Sequence, residues 1–412
     1  MSEDSLQIVP GATWTATNTG LHIQSHGAGL IEVDGVYYMI GEDKTQGTFF
    51  QNINAYSSTN LVEWTWEGAL LTRASDGDLG QERIVERPKI IYNAHTATYV
   101  MYMHIDNADY SEARVGVAIC KTVVGSYEYK GSFRPLDCES RDIGLFKDDD
   151  GSAYLLAEDR VNGLRIMALS DDYCKVISHV YCWKECIESP AIWKSDEHYY
   201  MFGSHLTGWD CNDNVYSYAP ALRGPWSPWR EFADLGSKTY ESQISTVLPF
   251  GDMAVYLGDR WCPSNLAQST YVWLLLSKKG HEIYMKDQTS WTLNLSCQRE
   301  NETLPEVHNE IDSKVLPQSG FSCHLASSSN ARTTLRLKYT NAEIQSQQGT
   351  VTVNGVSQKI DFLPTGSQKQ GIYEVSESVV HCELGAGHEN VVTITEVGTH
   401  LKILEVIVPG SS

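Results

Sequence analysis

The sequence predicts an all-β protein: a five-bladed β-propeller over residues 7–296, a linker over 297–313, and a small β-sandwich of jelly-roll type over 314–412. Three observations predict it. An aromatic, apolar strand recurs five times before residue 296. The 3.6-residue helical period is nearly absent. After Trp291 the chain turns polar and then resumes as short alternating strands.

The five recurring segments are Val36–Glu42, Thr98–His104, Ala153–Glu158, His198–Ser204 and Met253–Asp259. Turn signals precede them at Asp34-Gly35, Asn93-Ala94-His95, Asp150-Gly151, Ser195-Asp196 and Gly251-Asp252. A second strand follows each, and Tyr56–Trp64, Val117–Tyr127 and Tyr218–Trp226 share a loop ending in an aromatic ring. Units of roughly 45–60 residues with four strands apiece suit propeller blades. A long β-sandwich does not explain a pattern that returns five times. In a propeller, polar residues at the inner-strand mouths converge on one funnel, so acids remote in sequence can act together.

Residues 297–313 are polar and read as a linker. Beyond them Thr333–Tyr339, Gly349–Val353, Asn390–Thr395 and Leu401–Val408 alternate as strands, and Asn354-Gly355 is a strong hairpin signal. A small β-sandwich follows.

The 412 residues suit one large domain and one small one, and 42% hydrophobic content supplies a core. The 22 Tyr and 11 Trp suit sugar stacking as well as all-β cores. A net charge of −21 repels nucleic acid, anionic membranes and polyanions, which leaves neutral partners. The longest apolar run, Tyr271 to Leu276, is far short of the ~20 residues that span a bilayer. The first residues, Met1 to Gln7, lack a signal peptide's basic start and apolar stretch. The 10 Cys are scattered, with Cys182 and Cys186 closest, and favour buried thiols or one or two disulfides over zinc. Sequons at Asn294 and Asn301 agree with secretion.

Inverting glycoside hydrolysis needs a protonated carboxyl at the leaving oxygen and a water activated on the opposite face. Glu188, in Cys186–Trp193, stands ahead of the fourth recurring strand, where Ser189-Pro190 marks a loop-to-strand junction. Its apolar neighbours desolvate it and raise its pKa toward general-acid use; the alternative is a solvated surface acid. Asp142, in Ser140–Gly151, and Glu86, in Val85–Tyr92, hold the same position before the third and second strands. The Asp148-Asp149-Asp150-Gly151 run reads as a solvated turn rather than a metal site.

These features resemble glycoside hydrolase family 43, and more finely its fungal exo-β-1,3-galactanase subfamily (subfamily 24). The resemblance rests on the fivefold repeat, Phe146–Tyr154, Ser25–Gly29, Gly41–Lys44, Val85–Lys89, Ser140–Asp142, Ser204–Trp209, Ser242-Gln243 and Gly258–Trp261. The tail is similar to a family 35 carbohydrate-binding module through Leu335–Tyr339 and Gly349–Gly355. The resemblance implies Glu188 as general acid, Asp142 as the modulator of its pKa, and Glu86 as a ligand of sugar hydroxyls. The wider family's Asp base is replaced here by His26-Gly27-Ala28, and the resemblance implies that Gln243 positions the water. An amide oxygen scarcely binds a proton, so Gln243 would orient water by hydrogen bonding or act as its imidic tautomer. Glu241 is a rival base if that stretch is extended. Glu42, Tyr110, Trp209, Asp259 and Arg260 fit sugar binding, with Trp209 as a stacking wall and Asp259 paired to Arg260, or else a structural role in the inner layer. Leu206 departs from the polar residue expected in this subfamily. Such modules often bind calcium through first- and last-strand acids, here Glu310, Asp312 and Glu405.

The resulting expectation is an exo-acting, inverting β-1,3-galactosidase acting on the arabinogalactan backbone. It needs no cofactor beyond possible calcium in the tail, acts on polysaccharide as a monomer, and is extracellular. The alternatives are an α-L-arabinofuranosidase or β-xylosidase of the same family, and a sugar-binding propeller without catalysis.

Overall fold

A computed structural model of the chain describes residues 6–251, 253–294, 299–301, 306–315, 321–327, 330–366, 374–398 and 400–409, with 294, 299–301, 306–315, 388 and 409 as backbone only. The described residues are all-β apart from one four-residue helical turn and three 3₁₀ turns. They form two compact units: residues 24–57 with 67–287, and residues 1–23 with 58–66 and 288–412. The N-terminal segment expected in the propeller thus belongs to the unit that holds the C-terminal strands.

The larger unit contains five antiparallel sheets of four strands in chain order. Their first strands are His26–Val33 (sheet I), Ile84–Asn93 (II), Ile143–Lys147 (III), Glu188–Ser195 (IV) and Gln243–Phe250 (V). The recurring segments are the second strands: Val36–Glu42, Thr98–Asp106, Ala153–Ala157, His198–Ser204 and Met253–Arg260. A strand follows each, as expected, but a strand also precedes each, so the recurring segments stand second in their sheets. Contact between neighbouring sheets runs mainly through the first strands, from I through V and back to I. Asp34 and Gly35 have φ of 53° and 79°, the two positive values of a type I′ turn, and join Val33 to Val36.

The core lies between adjacent sheets. Ile40 and Ile53 of sheet I share a cluster with Val85 and Met101 of sheet II. Val100 and Tyr102 meet Leu155 and Met167 of sheet III, whose Leu156 and Ile166 meet Met201 and Val215 of sheet IV. Most are fully buried, each worth about 1.5–3 kcal/mol relative to exposure.

In the other unit one sheet orders Glu306–Val315, Leu401–Pro409, Ala331–Asn341 and Ser376–Leu384. A second orders Phe321–Ser327, Gly387–Thr395, Gln347–Val353 and Val356–Phe362. Leu335, Leu337 and Ile403 of the first share one core with Val351, Phe362 and Val392 of the second. Asn354 and Gly355, at φ 50° and 86°, close the hairpin its Asn-Gly pair predicts. The expected linker and both sequons have their side chains outside the described residues, as do Glu310 and Asp312. Glu405 is ion-paired to Lys338 at 2.8 Å. The nine described cysteines are all free, so the expected disulfides do not form among them.

Candidate active site

Four of the first strands carry a bulge at their start, after His26, Glu86, Glu188 and Ile244. Glu86 and Glu188 therefore lie within strands, and the Pro beside each is absorbed by the bulge rather than by a loop, a correction to the sequence reading. The next residue is left-handed in three cases: Gly27 (56°), Arg87 (53°) and Ser189 (56°). Its N–H leaves the ladder and finds a carboxylate from the sheet before. Gly27 donates to Asp259 Oδ2 at 3.0 Å, Arg87 to Glu42 Oε1 at 2.8 Å, and Ser189 to Asp142 Oδ2 at 3.0 Å. A Cβ at 27 would lie 2.2 Å from Glu42 Oε1, so glycine there lets that carboxylate keep its bond to the Arg87 N–H.

This repeated geometry brings seven of the nine sequence-assigned residues into one cavity of about 330 Å³: Glu42, Glu86, Tyr110, Asp142, Glu188, Trp209 and Gln243. Asp259 and Arg260 are not among its lining residues. Asp259 is buried against His26 Nδ1 at 3.0 Å and also accepts from Ser245. It does not pair with Arg260, because consecutive strand residues face opposite ways; Arg260 Nη2 donates to Tyr240 O at 2.9 Å. Glu241 is exposed in the turn Lys238–Glu241, whose residues all have φ of 53–58°, so the premise that placed it beside Gln243 fails. Leu206 is exposed.

Sequence reasoning gave no role to Arg87, His104, Arg141, Arg160 and Trp261, which also line the cavity. Arg87, Arg141 and Trp261 sat inside motifs already singled out, and His104 ends the second recurring segment. Arg87 is the hub. Its Nε lies 3.1 Å from Asp142 Oδ2, its Nη1 donates to Ile244 O at 3.1 Å, and its Nη2 donates to Gln243 Oε1 at 2.5 Å. Gln243 Oε1 also accepts from Trp261 Nε1 at 2.8 Å, while its Nε2 donates to Glu188 Oε1 at 2.8 Å and Ser204 Oγ at 2.9 Å.

The carboxyls are driven apart electrostatically. Burial, then the charge of Asp142, pushes Glu188 up to about 8 against the pull of Arg87 and Arg160. Burial would also raise Glu86, but Lys44 at 3.4 Å and His104 at 3.4 Å hold it at about 2. Tyr110 donates its hydroxyl to the same carboxylate at 3.1 Å. Burial, then the nearby Glu86, raises Glu42 despite Lys44 at 2.5 Å. Lys44 lies 5.0 Å over the Trp209 ring, which meets Trp261 edge-on at 4.8 Å.

Glu86, His104 and Asp142 each bring a ligand-type atom within 4.8 Å of the others. Burial opposes the charge on His104, but Asp106 at 2.9 Å and Glu86 raise it to about 9, so a cation there would have to displace a proton from the ring.

A buried acid kept protonated beside a fixed carboxylate, with aromatic rings at the rim, suits hydrolysis of a neutral sugar. Known proteins agree. The chain is similar to a solved exo-β-1,3-galactanase from Phanerochaete chrysosporium with galactose, at 31% identity over 98% of this chain and 100% of that one, TM-score 0.73. A variant of that enzyme with β-1,3-galactotriose matches at 30% identity, with the same coverage and TM-score. An exo-β-1,3-galactanase from Clostridium thermocellum matches at 26% identity over 96% of this chain and 88% of that one, TM-score 0.69. No significant match occurs among curated proteins. Residues 24–245 match Glycosyl hydrolases family 43, and with the similarity across nearly its whole length the chain belongs to that family.

Proposed function

We propose that this glycoside hydrolase is exo-acting and inverting, and that it releases galactose from β-1,3-galactan. On this reading the five sheets are the blades of a propeller with the cavity at its mouth. The two four-stranded sheets of the other unit are a β-sandwich with the character of a carbohydrate-binding module. One observation carries the chemistry: Glu188 at about 8 and Glu86 at about 2 share a single cavity.

At neutral pH Glu188 holds its proton and delivers it to the leaving glycosidic oxygen. Asp142, fixed by Arg87 and by both the N–H and hydroxyl of Ser189, keeps the proton there by its charge. Glu86 stays ionised and accepts hydroxyl protons from the sugar. The cavity lies at the low end of the roughly 300–1,000 Å³ range of ligand sites, which suits a chain end rather than a chain interior. Similarity to exo-β-1,3-galactanases supports the substrate. The test is a β-1,3-galactan digest followed by NMR. Galactose appearing first as the α-anomer, and absent with Glu188→Gln, is the expected result. A first-formed β-anomer contradicts inversion, and activity confined to arabinofuranosides contradicts the substrate.

A further inference from the structure

His104 and Asp106 close the second strand of sheet II, and alternate residues of a strand share a face. His104 stands directly opposite Glu86 in the ladder, which brings the three side chains together. Both His104 and Asp106 are buried. Asp106 Oδ1 accepts the N–H of Asn107 at 3.0 Å and that of Glu112 at 2.8 Å. Its Oδ2 accepts the N–H of Ala113 at 3.1 Å and faces His104 Nε2 at 2.9 Å. Backbone N–H groups only donate, so the carboxyl they surround is an ionised acceptor and Nε2 holds a proton toward it. The other ring nitrogen, Nδ1, lies 3.4 Å from Glu86 Oε2. A neutral ring would set the Nδ1 lone pair against that carboxylate, whereas an imidazolium sets an N–H there. Asp106 also ties both ends of the loop 107–113, which carries Tyr110. The Tyr110 hydroxyl donates to Glu86 Oε1 at 3.1 Å, and its carbonyl accepts from Arg141 at 3.1 Å.

We propose that His104 and Asp106 are a positioning pair for sugar binding. Asp106 orients a doubly protonated His104 against Glu86 Oε2 and fixes the loop that brings Tyr110 to Oε1. This deepens the reading above and rests on Glu86 being the carboxylate that accepts sugar hydroxyls. A carboxylate offers about four acceptor sites. Lys44 and Tyr110 occupy those of Oε1 and His104 one of Oε2, so Oε2 is the oxygen left for a sugar hydroxyl. Held from both sides, Glu86 keeps its charge and its orientation before the sugar arrives, and that preorganisation saves ordering cost on binding. Lys44, Arg87 and Glu42 are the other charged groups that act on Glu86, while Asp106 and Glu86 are those that act on His104.

The experiment follows the His104 ring by ¹⁵N NMR in wild type, Glu86→Gln and Asp106→Asn, assigned by its loss in His104→Gln. Inhibition by galactose is measured alongside in wild type, His104→Gln and Asp106→Asn. At neutral pH both ring nitrogens are expected to be protonated, with a titration at about 9. Each carboxylate supports the imidazolium, so Glu86→Gln and Asp106→Asn are each expected to lower that titration by about one unit. The galactose inhibition constant is expected to rise about tenfold in His104→Gln and in Asp106→Asn. A ring with one proton at neutral pH overturns the proposal, and so does a titration that Glu86→Gln leaves in place. A His104→Gln enzyme that loses stability but keeps its inhibition constant overturns it too, since that is the behaviour of a merely structural histidine. Should the variants not fold, neutron diffraction of the wild-type protein at neutral pH decides. Hydrogen on both ring nitrogens supports the pair, and hydrogen on Nε2 alone overturns it. A wild type that releases no galactose, yet carries both ring protons coupled to Glu86, contradicts the substrate reading and leaves the positioning of Glu86 intact.

Discussion

Two corners of the ring of sheets share one backbone device and differ in chemistry. Where sheet V meets sheet I, Asp259 accepts from the Gly27 N–H and the Ser245 hydroxyl. Where sheet III meets sheet IV, Asp142 accepts from the N–H and hydroxyl of Ser189. The difference is the residue that opens the adjoining first strand. At 26 it is histidine, bonded to Asp259 and stacked on Tyr271 at 5.0 Å, away from the cavity. At 188 it is a second acid, lining the cavity and pushed upward by burial and then by the first. The clamp between carboxylate and bulge builds the frame, and the opening residue decides whether that corner is mortar or machinery.

Substitutions sharpen the contrast. Glu188→Gln removes the acid and is expected to lower kcat by about 10²–10⁴-fold without loss of thermal stability; activity within a few-fold of wild type would move the acid elsewhere. Asp259→Asn weakens the buried hydrogen bonds that Asp259 accepts from Gly27, Ser245 and His26, and is expected to cost about 1.5–3 kcal/mol of stability, measured by denaturant unfolding, while the alkaline limb of activity stays in place. Were Asp259 a sugar ligand instead, KM would rise in a normally stable protein. Asp142→Asn removes the charge that helps to hold the Glu188 proton, so the alkaline limb should move down by about one unit. An upward move would show that the charge of Asp142 does not hold that proton. Glu241→Gln, on an exposed turn, should leave stability within about 0.5 kcal/mol and the rate unchanged; a large loss would restore Glu241 as a base.

The second strands were legible because each follows a turn signal and mixes aromatic with apolar residues, as in His198–Ser204. The first strands were not, since Glu86-Arg87-Pro88 and Glu188-Ser189-Pro190 read as loop until the bulge that accommodates them is seen. Acids at those positions could be found from the sequence, because burial and an apolar strand leave a local trace. The difference between Asp142 and Asp259 could not. It depends on His26, 233 residues from Asp259, and on Arg87, whose guanidinium reaches Gln243 across 156 residues.

The central claim, that a buried acid with a strongly raised pKa cleaves galactan, is tested most directly by the pH dependence of kcat/KM for galactose release from β-1,3-galactan. As the proposed general acid Glu188 would work only while protonated, so activity should persist through neutral pH and fall along an alkaline limb centred near 8. A limb at the ordinary carboxylate value of about 4–5 would contradict the account.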